Sequence, residues 1–215
     1  MNREIRYLIE RYYQVQEHRI AMANQVRALK EAGEETNPLN DYYERFHTIE
    51  KDIAKYLAGS VKDHPMWNWM KKVKGIGPIL ASILLSTIDI RKADHVSSIW
   101  KYAGLAPGQK RQKGKKIDYN PFLKSACWKI GESFVKTKGE YRKIYDTSKT
   151  FYQQKFPETK KEGKRTLYTK GHIHAMAKRR AVKLFLSHFW EAWRRMEGLP
   201  VSEPYAHRGL AKLLE

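Results

Sequence analysis

This sequence has almost nothing with which to cross-link itself, cross a membrane or build a sheet. It holds a single cysteine, Cys127, among 215 residues. No intrachain disulfide can form, which suits a reducing compartment. The neighbours Ala126 and Trp128 mark Cys127 as a small buried hydrophobe rather than a nucleophile. The longest apolar stretch, Ile76 to Ile90, is interrupted by Gly77, Pro78 and Asp89. It falls short of the roughly 20 residues that span a bilayer. Residues 1–30 carry charges throughout, so no secretory signal is expected. These absences point to a soluble, cytoplasmic protein with no membrane partner. No run of alternating apolar and polar residues reads as a strand, so the expected fold is all-α. Hydrophobic residues at 41% and aromatics at 12% are enough for a folded core in one or two domains.

Acidic residues are scarce in only one part of the chain. Residues 1–62 hold 10 basic and 10 acidic residues, whereas residues 63–215 hold the other 32 basic and 13 acidic ones. The whole net charge of +19 therefore lies in the second part. A field of that size favours an acidic polymer as partner. A heat-adapted surface would add Glu along with Lys, and this one does not. The expected division is a helical segment over 1–62 and a basic domain over 63–215.

In the first segment, residues 3–31 read as a long helix. Ile5, Leu8, Tyr12, Val15, Met22, Val26 and Leu29 occupy heptad a and d positions, with Arg19 the one polar interruption. A breaker at residues 32–38 precedes a second helix with the pattern Leu39, Tyr42, Phe46, Ile49, Ile53 and Tyr56. Two such helices make an antiparallel hairpin, or the seam joins two copies as a homodimer through residues 3–57. Arg19 is costly in a dry seam and reads as a marker of register or partner.

In the basic domain, Val73-Lys74-Gly75-Ile76-Gly77-Pro78 reads as a helix-hairpin-helix. Gly75 and Gly77 are expected to take the positive φ that a tight turn needs. Ile76 plugs the core, and Pro78 opens the second helix, running to Thr87. N–H groups at such a turn can hold a phosphate, with Lys71, Lys72 and Lys74 beside them. Asp94 is expected to cap a short helix, Val96 to Tyr102, ended by Ala103-Gly104. The loop Gln109 to Lys116 follows, with Lys110, Arg111, Lys113, Lys115 and Lys116 basic. Its density in one sign suits phosphate tracking. A helix from Pro121 carries Leu123, Ala126, Cys127, Ile130 and Phe134. Tyr141, Tyr145, Phe151, Tyr152 and Phe156 lie among lysines, either as the inner face of a helix or as stacking platforms for bases. The last helix, from about His172 to Met196, carries the basic run Lys178, Arg179 and Arg180.

From Val73 onward the sequence resembles the C-terminal domain of the DEDD-type insertion-sequence transposases, the IS110 group, whose helix-hairpin-helix segment is the transposase family 20 domain. The resemblance is carried by Val73-Lys74-Gly75-Ile76-Gly77-Pro78, by Trp100-Lys101-Tyr102-Ala103-Gly104-Leu105-Ala106-Pro107, by Asn120-Pro121 and by residues 174–181. It covers roughly residues 65–195, and the helical pair before it is similar to that family's coiled coil. It implies a partner among DNAs, duplex or branched, with structured RNA as an alternative. The family's four metal-binding acids belong to an N-terminal nuclease-like domain, which is not expected in a chain that opens on the coiled coil. The family's serine nucleophile follows the Gly-Leu-Ala-Pro segment, but residues 108–116 hold no serine, and Ser125 falls on the next helix. No catalytic residue, metal ligand or cofactor is expected. The expectation is a transposase-derived DNA-binding domain, with an active recombinase subunit as the rival reading.

Other residues offer little chemistry. His172 and His174 point different ways and lack a partner at metal spacing. Asp89 and Asp94 read as caps. Tyr168 has cationic neighbours, as a tyrosine in a basic chain often does.

Overall fold

The computed structural model describes residues 3–109, 113–163 and 165–202. Among them the helices are α1 (Arg3–Glu31), α2 (Asn37–Lys62), α3 (Trp67–Met70), α4 (Pro78–Thr87), α5 (Val96–Tyr102), α6 (Pro121–Thr137), α7 (Glu140–Lys155) and α8 (Lys170–Met196). A 3₁₀ turn spans Ile90–Lys92. The fold is all-α. The expectation of no strand at all needs one correction: β1 (Lys160–Glu162) and β2 (Arg165–Leu167) pair antiparallel, with Lys160 opposite Leu167. This ribbon carries no alternating pattern because its described residues are exposed or half-buried.

The chain divides into two compact units. The first takes in residues up to Trp67 together with Pro78–Thr87; the second takes in Asn68–Gly77 and residues from Ile88 onward. The helix at 78–87 thus groups with the acid-balanced N-terminal helices, although it lies beyond the expected boundary at residue 62.

In the first unit, α1 and α2 run antiparallel: Gln16 and Arg19 reach Glu50, while Val26 and Tyr43 share a cavity further along. Ile5, Ile9 and Val26 of α1 and Leu57 and Val61 of α2 are buried. Arg19, the interruption in the heptad, forms an ion pair with Glu50, whose other oxygen accepts from Gln16 Nε2 at 2.8 Å. Burial raises the Glu50 carboxyl, but the hydrogen bonds from Arg19 and Gln16 and the Arg19 charge hold it below its ordinary value. The pair fixes the register of the two helices. The seam on α2 differs from the expected one. Tyr42, Ile49 and Tyr56 are 54%, 46% and 53% exposed, and the inward line runs instead through Phe46, Glu50, Ile53, Leu57 and Val61. α4 packs on both helices. Its Ser82 Oγ donates to Pro78 O at 2.9 Å and approaches Leu57 O at 3.4 Å, so the hydroxyl is satisfied in a buried seam.

The second unit is built around α8, which packs on α5, α6 and α7. Phe185, Leu186, Phe189, Trp190 and Trp193 form its apolar spine. Phe185 meets Phe134 and Tyr141 edge-on, with ring centroids 5.4 and 5.5 Å apart. Tyr141 and Tyr145 are buried here, on the inner face of α7. Arg194, also buried, donates to Ala93 O at 2.9 Å and Pro200 O at 2.7 Å and stands 3.6 Å from Asp94. Asp94 is therefore a partner of Arg194 and not the cap of α5. The residue before α5 is His95, which makes no side-chain cap. Asp89 does cap: its Oδ1 accepts from Arg91 N at 3.2 Å.

Candidate nucleic-acid interface

The glycine turn follows α3 immediately. Met70 ends that helix, and Val73 lies in turns closed by Val73 N to Met70 O and Ile76 N to Val73 O, each 3.0 Å. Ile76 is buried, whereas Lys71, Lys72, Lys74 and Gly77 are exposed. Three exposed lysines thus lie in or next to a short loop anchored by one apolar side chain.

The two glycines are not equivalent. Gly75 has φ +100°, and its carbonyl accepts from Ser133 Oγ at 2.7 Å. A Cβ there would stand 2.9 Å from Thr137 Oγ1 and 3.1 Å from Phe134 Cδ1. Gly77 corrects the expectation: it is not among the positive-φ residues, and a Cβ on it would meet no heavy atom within 4 Å. The turn's strain sits at Gly75, where the backbone passes under α6. Gly77 stands in the open before Pro78, where an extended residue is the norm.

The second basic element starts at a firm stop. After α5, Leu105 N returns to Trp100 O at 2.8 Å and Gly104 takes φ +66° under the Tyr119 ring. The Tyr-Ala-Gly-Leu-Ala-Pro segment is thus a helix terminator. Gln109 Nε2 donates to Lys101 O at 3.1 Å and Asp118 Oδ2 at 3.2 Å, tying the two sides of the loop at its base. Asn120 then caps α6, its Oδ1 accepting from Leu123 N at 3.1 Å. Lys113, Lys115 and Lys116 are exposed. Lys110 and Arg111 lie outside the described residues.

On α8 the basic run is divided. Arg179 is exposed, and Arg180 lies over the Phe151 ring at 5.8 Å. Lys178 is buried, forms an ion pair with Glu132 of α6 and lies 5.1 Å from the Trp128 ring. The hydrogen bond from Lys178 holds the Glu132 carboxyl below its ordinary value. Lys178 therefore ties α8 to α6, and as a free phosphate donor it is a correction to the sequence reading.

Lys72 and Lys74 border one cleft of the second unit; Lys113, Lys115, Lys116 and Arg179 do not. Sequence reading missed Lys138, Lys143 and Arg195, which border the same cleft. Nothing in their spacing marks them, since they come from the α6–α7 junction, α7 itself and the end of α8.

The residues weighed for chemistry are engaged structurally. His172 Nδ1 accepts from Tyr168 N at 2.9 Å, and His174 Nδ1 meets Tyr145 Oη at 2.7 Å, so the two imidazoles serve different partners. The Tyr168 ring lies on Phe156 with centroids 3.9 Å apart and planes 2° from parallel. Burial pushes the Cys127 thiol up to about 12. Ser125 is exposed on α6. Among the described residues there is no cluster of three His, Cys, Asp or Glu side chains able to hold a metal ion. No helix among them is long and apolar enough to cross a membrane.

No match was found among curated proteins. Residues 68–146 match the family described as Transposase IS116/IS110/IS902 family. That stretch holds the glycine turn, the Tyr-Ala-Gly-Leu-Ala-Pro terminator, the basic loop and α6 with the start of α7. Over residues 68–146 the chain is thus similar to the insertion-sequence transposases of this family.

Proposed function

We propose that the protein binds DNA through its second unit, gripping the backbone with the glycine turn of a helix-hairpin-helix and with the basic loop, and that it does so without cutting a strand. The observation that carries this reading is the turn itself: Gly75 is pinned by Ser133, Gly77 is open, and the exposed Lys71, Lys72 and Lys74 lie beside them in the chain. Such a loop brings cations and backbone N–H groups to a phosphate at little reorganisation cost. Lys113, Lys115 and Lys116 add a second point of contact. Binding rather than cleavage is favoured because the loop 108–116 holds no serine and because Tyr168 is stacked into the fold. A site of action in the cytoplasm, where a reduced Cys127 persists, belongs to the same reading. So does self-association through the outward stripe Tyr42, Ile49 and Tyr56, which repeats every seventh residue on α2.

Titration of a fluorescent DNA duplex over a range of salt tests the reading. The triple variant Lys113→Gln, Lys115→Gln, Lys116→Gln should lower the slope of log affinity against log salt by roughly 0.9 for each phosphate it no longer neutralises. An unchanged slope in this variant and in Lys72→Gln, Lys74→Gln would overturn it.

A further inference from the structure

The lysines of the glycine turn border a cleft of about 900 Å³ that lies wholly within the second unit. One wall is the turn, with Trp69, Lys72 and Lys74; a second is the α6–α7 junction and the start of α7, with Lys138 and Lys143; the end of α8 adds Arg195. The two walls touch, because Gly139 lies so close to the turn that a Cβ on it would stand 2.7 Å from Lys74 Cβ. The aromatic lining is fixed as well. Trp69 stacks on Phe185 with centroids 6.1 Å apart, and Tyr141 stacks on Phe134 at 4.7 Å. Tyr141 Oη is bonded to His188 Nδ1 at 2.8 Å, and burial raises the phenol far above its ordinary value, so it stays protonated.

Two carboxylates, Glu140 and Glu191, share this space with the five cations. Arg195 holds Glu191 at 2.8 Å. A bare phosphate is repelled by such acids, whereas the amino groups of an exposed base are matched by them. A volume near 900 Å³ is that of a ligand pocket, at the upper end of the roughly 300–1,000 Å³ range. A duplex presents a convex backbone with its bases stacked inside and can meet only the rim of such a concavity. A single strand can set its phosphates on the lysines and turn a base inward against an aromatic ring.

We infer that this cleft holds an unpaired DNA strand, with phosphates on Lys72, Lys74, Lys138 and Lys143 and a base against Trp69. The inference rests on the proposal that the second unit binds DNA, and it adds that the preferred DNA is branched or frayed rather than blunt. Lys138 and Lys143 belong to neither the turn nor the basic loop, so they separate the two ideas.

The experiment compares a blunt duplex with a duplex of equal phosphate number that ends in a short single-stranded overhang, by fluorescence anisotropy at several salt concentrations. The wild-type protein should bind the overhang roughly tenfold more tightly, the effect of stacking one base. The variant Lys138→Gln, Lys143→Gln, checked for an unchanged melting temperature, should lose that preference. Its salt slope on the overhang should fall by roughly 0.7 for each phosphate left without its lysine, while blunt-duplex affinity stays the same. Equal wild-type affinity for both probes, or a preference that survives in the variant, overturns the inference and leaves the DNA-binding proposal standing. Wild-type protein that binds neither probe refutes that proposal and this inference with it.

Discussion

Gly75 and Gly77 are two residues apart in one turn, and the structure requires opposite outcomes when each is given a side chain. At Gly75 an alanine must hold φ near +100°, in a left-handed region that L residues enter at a cost of about 1–2 kcal/mol. Its Cβ must also displace Thr137 Oγ1 at 2.9 Å, Ser133 Oγ at 3.1 Å and Phe134 Cδ1 at 3.1 Å. Phe134 is a core ring stacked on Tyr141, so it cannot yield freely; overpacking of this kind costs about 1–3 kcal/mol. The sum, about 2–5 kcal/mol, lowers the melting temperature of a chain of this size by roughly 4–20 °C. At Gly77 the Cβ of a valine meets no heavy atom within 4 Å, and the residue precedes a proline, where extended β-branched residues are at ease. Its effect on stability should stay within about 0.5 kcal/mol. If a phosphate approaches this open backbone, however, the valine side chain blocks it, and duplex affinity falls for all sequences alike. Differential scanning calorimetry and a binding titration on the two variants give both readings. A Gly75→Ala protein that melts with the wild type refutes the packing argument. A folded Gly77→Val protein that binds DNA undiminished refutes the role of the turn.

Two further outcomes concern the first unit. Glu50 titrates below its ordinary value of 4.5 in the folded chain, so its contribution is complete above that pH and lost as the pH falls through the lowered value. Acid titration followed by circular dichroism should show a flatter loss of stability in Glu50→Gln than in the wild type, and Arg19→Met, which leaves the carboxylate buried and without its ion-pair partner, should cost about 3–5 kcal/mol. Replacing Tyr42, Ile49 and Tyr56 with Glu should abolish self-association in light scattering without unfolding the hairpin; a wild-type protein that is monomeric at high concentration would sink that part of the proposal.

What could be read along the chain and what stayed hidden follow from the range of the interactions. The bounds of α4 and α5 can be read directly, because Pro78 opens one and Gly104 closes the other within a residue or two. The seam of α2 could not be read from its heptads. Tyr42, Ile49 and Tyr56 satisfy the same spacing as an inward line, and the choice is made by the Arg19–Glu50 pair, which joins residues far apart in the chain. The glycine turn was visible, but which glycine carries the positive φ depends on Ser133, Phe134 and Thr137, across a packing contact that no local pattern announces. The β-ribbon was hidden for the opposite reason: its described residues are exposed or half-buried, so they have no apolar period to show. Lys178 matches its neighbours Arg179 and Arg180 in type, and only Glu132 on another helix sets it apart.

The knot formed by Gln109, Lys101 and Asp118 separates the fold's upkeep from whatever the loop does. Everything needed to end α5 and begin α6 lies at or outside it, in Gly104 and Asn120. Lys113, Lys115 and Lys116, which lie between the two, are exposed and serve neither helix end. Lengthening a loop costs little, about 0.6 kcal/mol for each doubling. Positions 113, 115 and 116 are therefore places where a lineage of such proteins can exchange residues, gain or lose charge and retune its grip on a ligand, one substitution at a time, while the helices on either side stay folded.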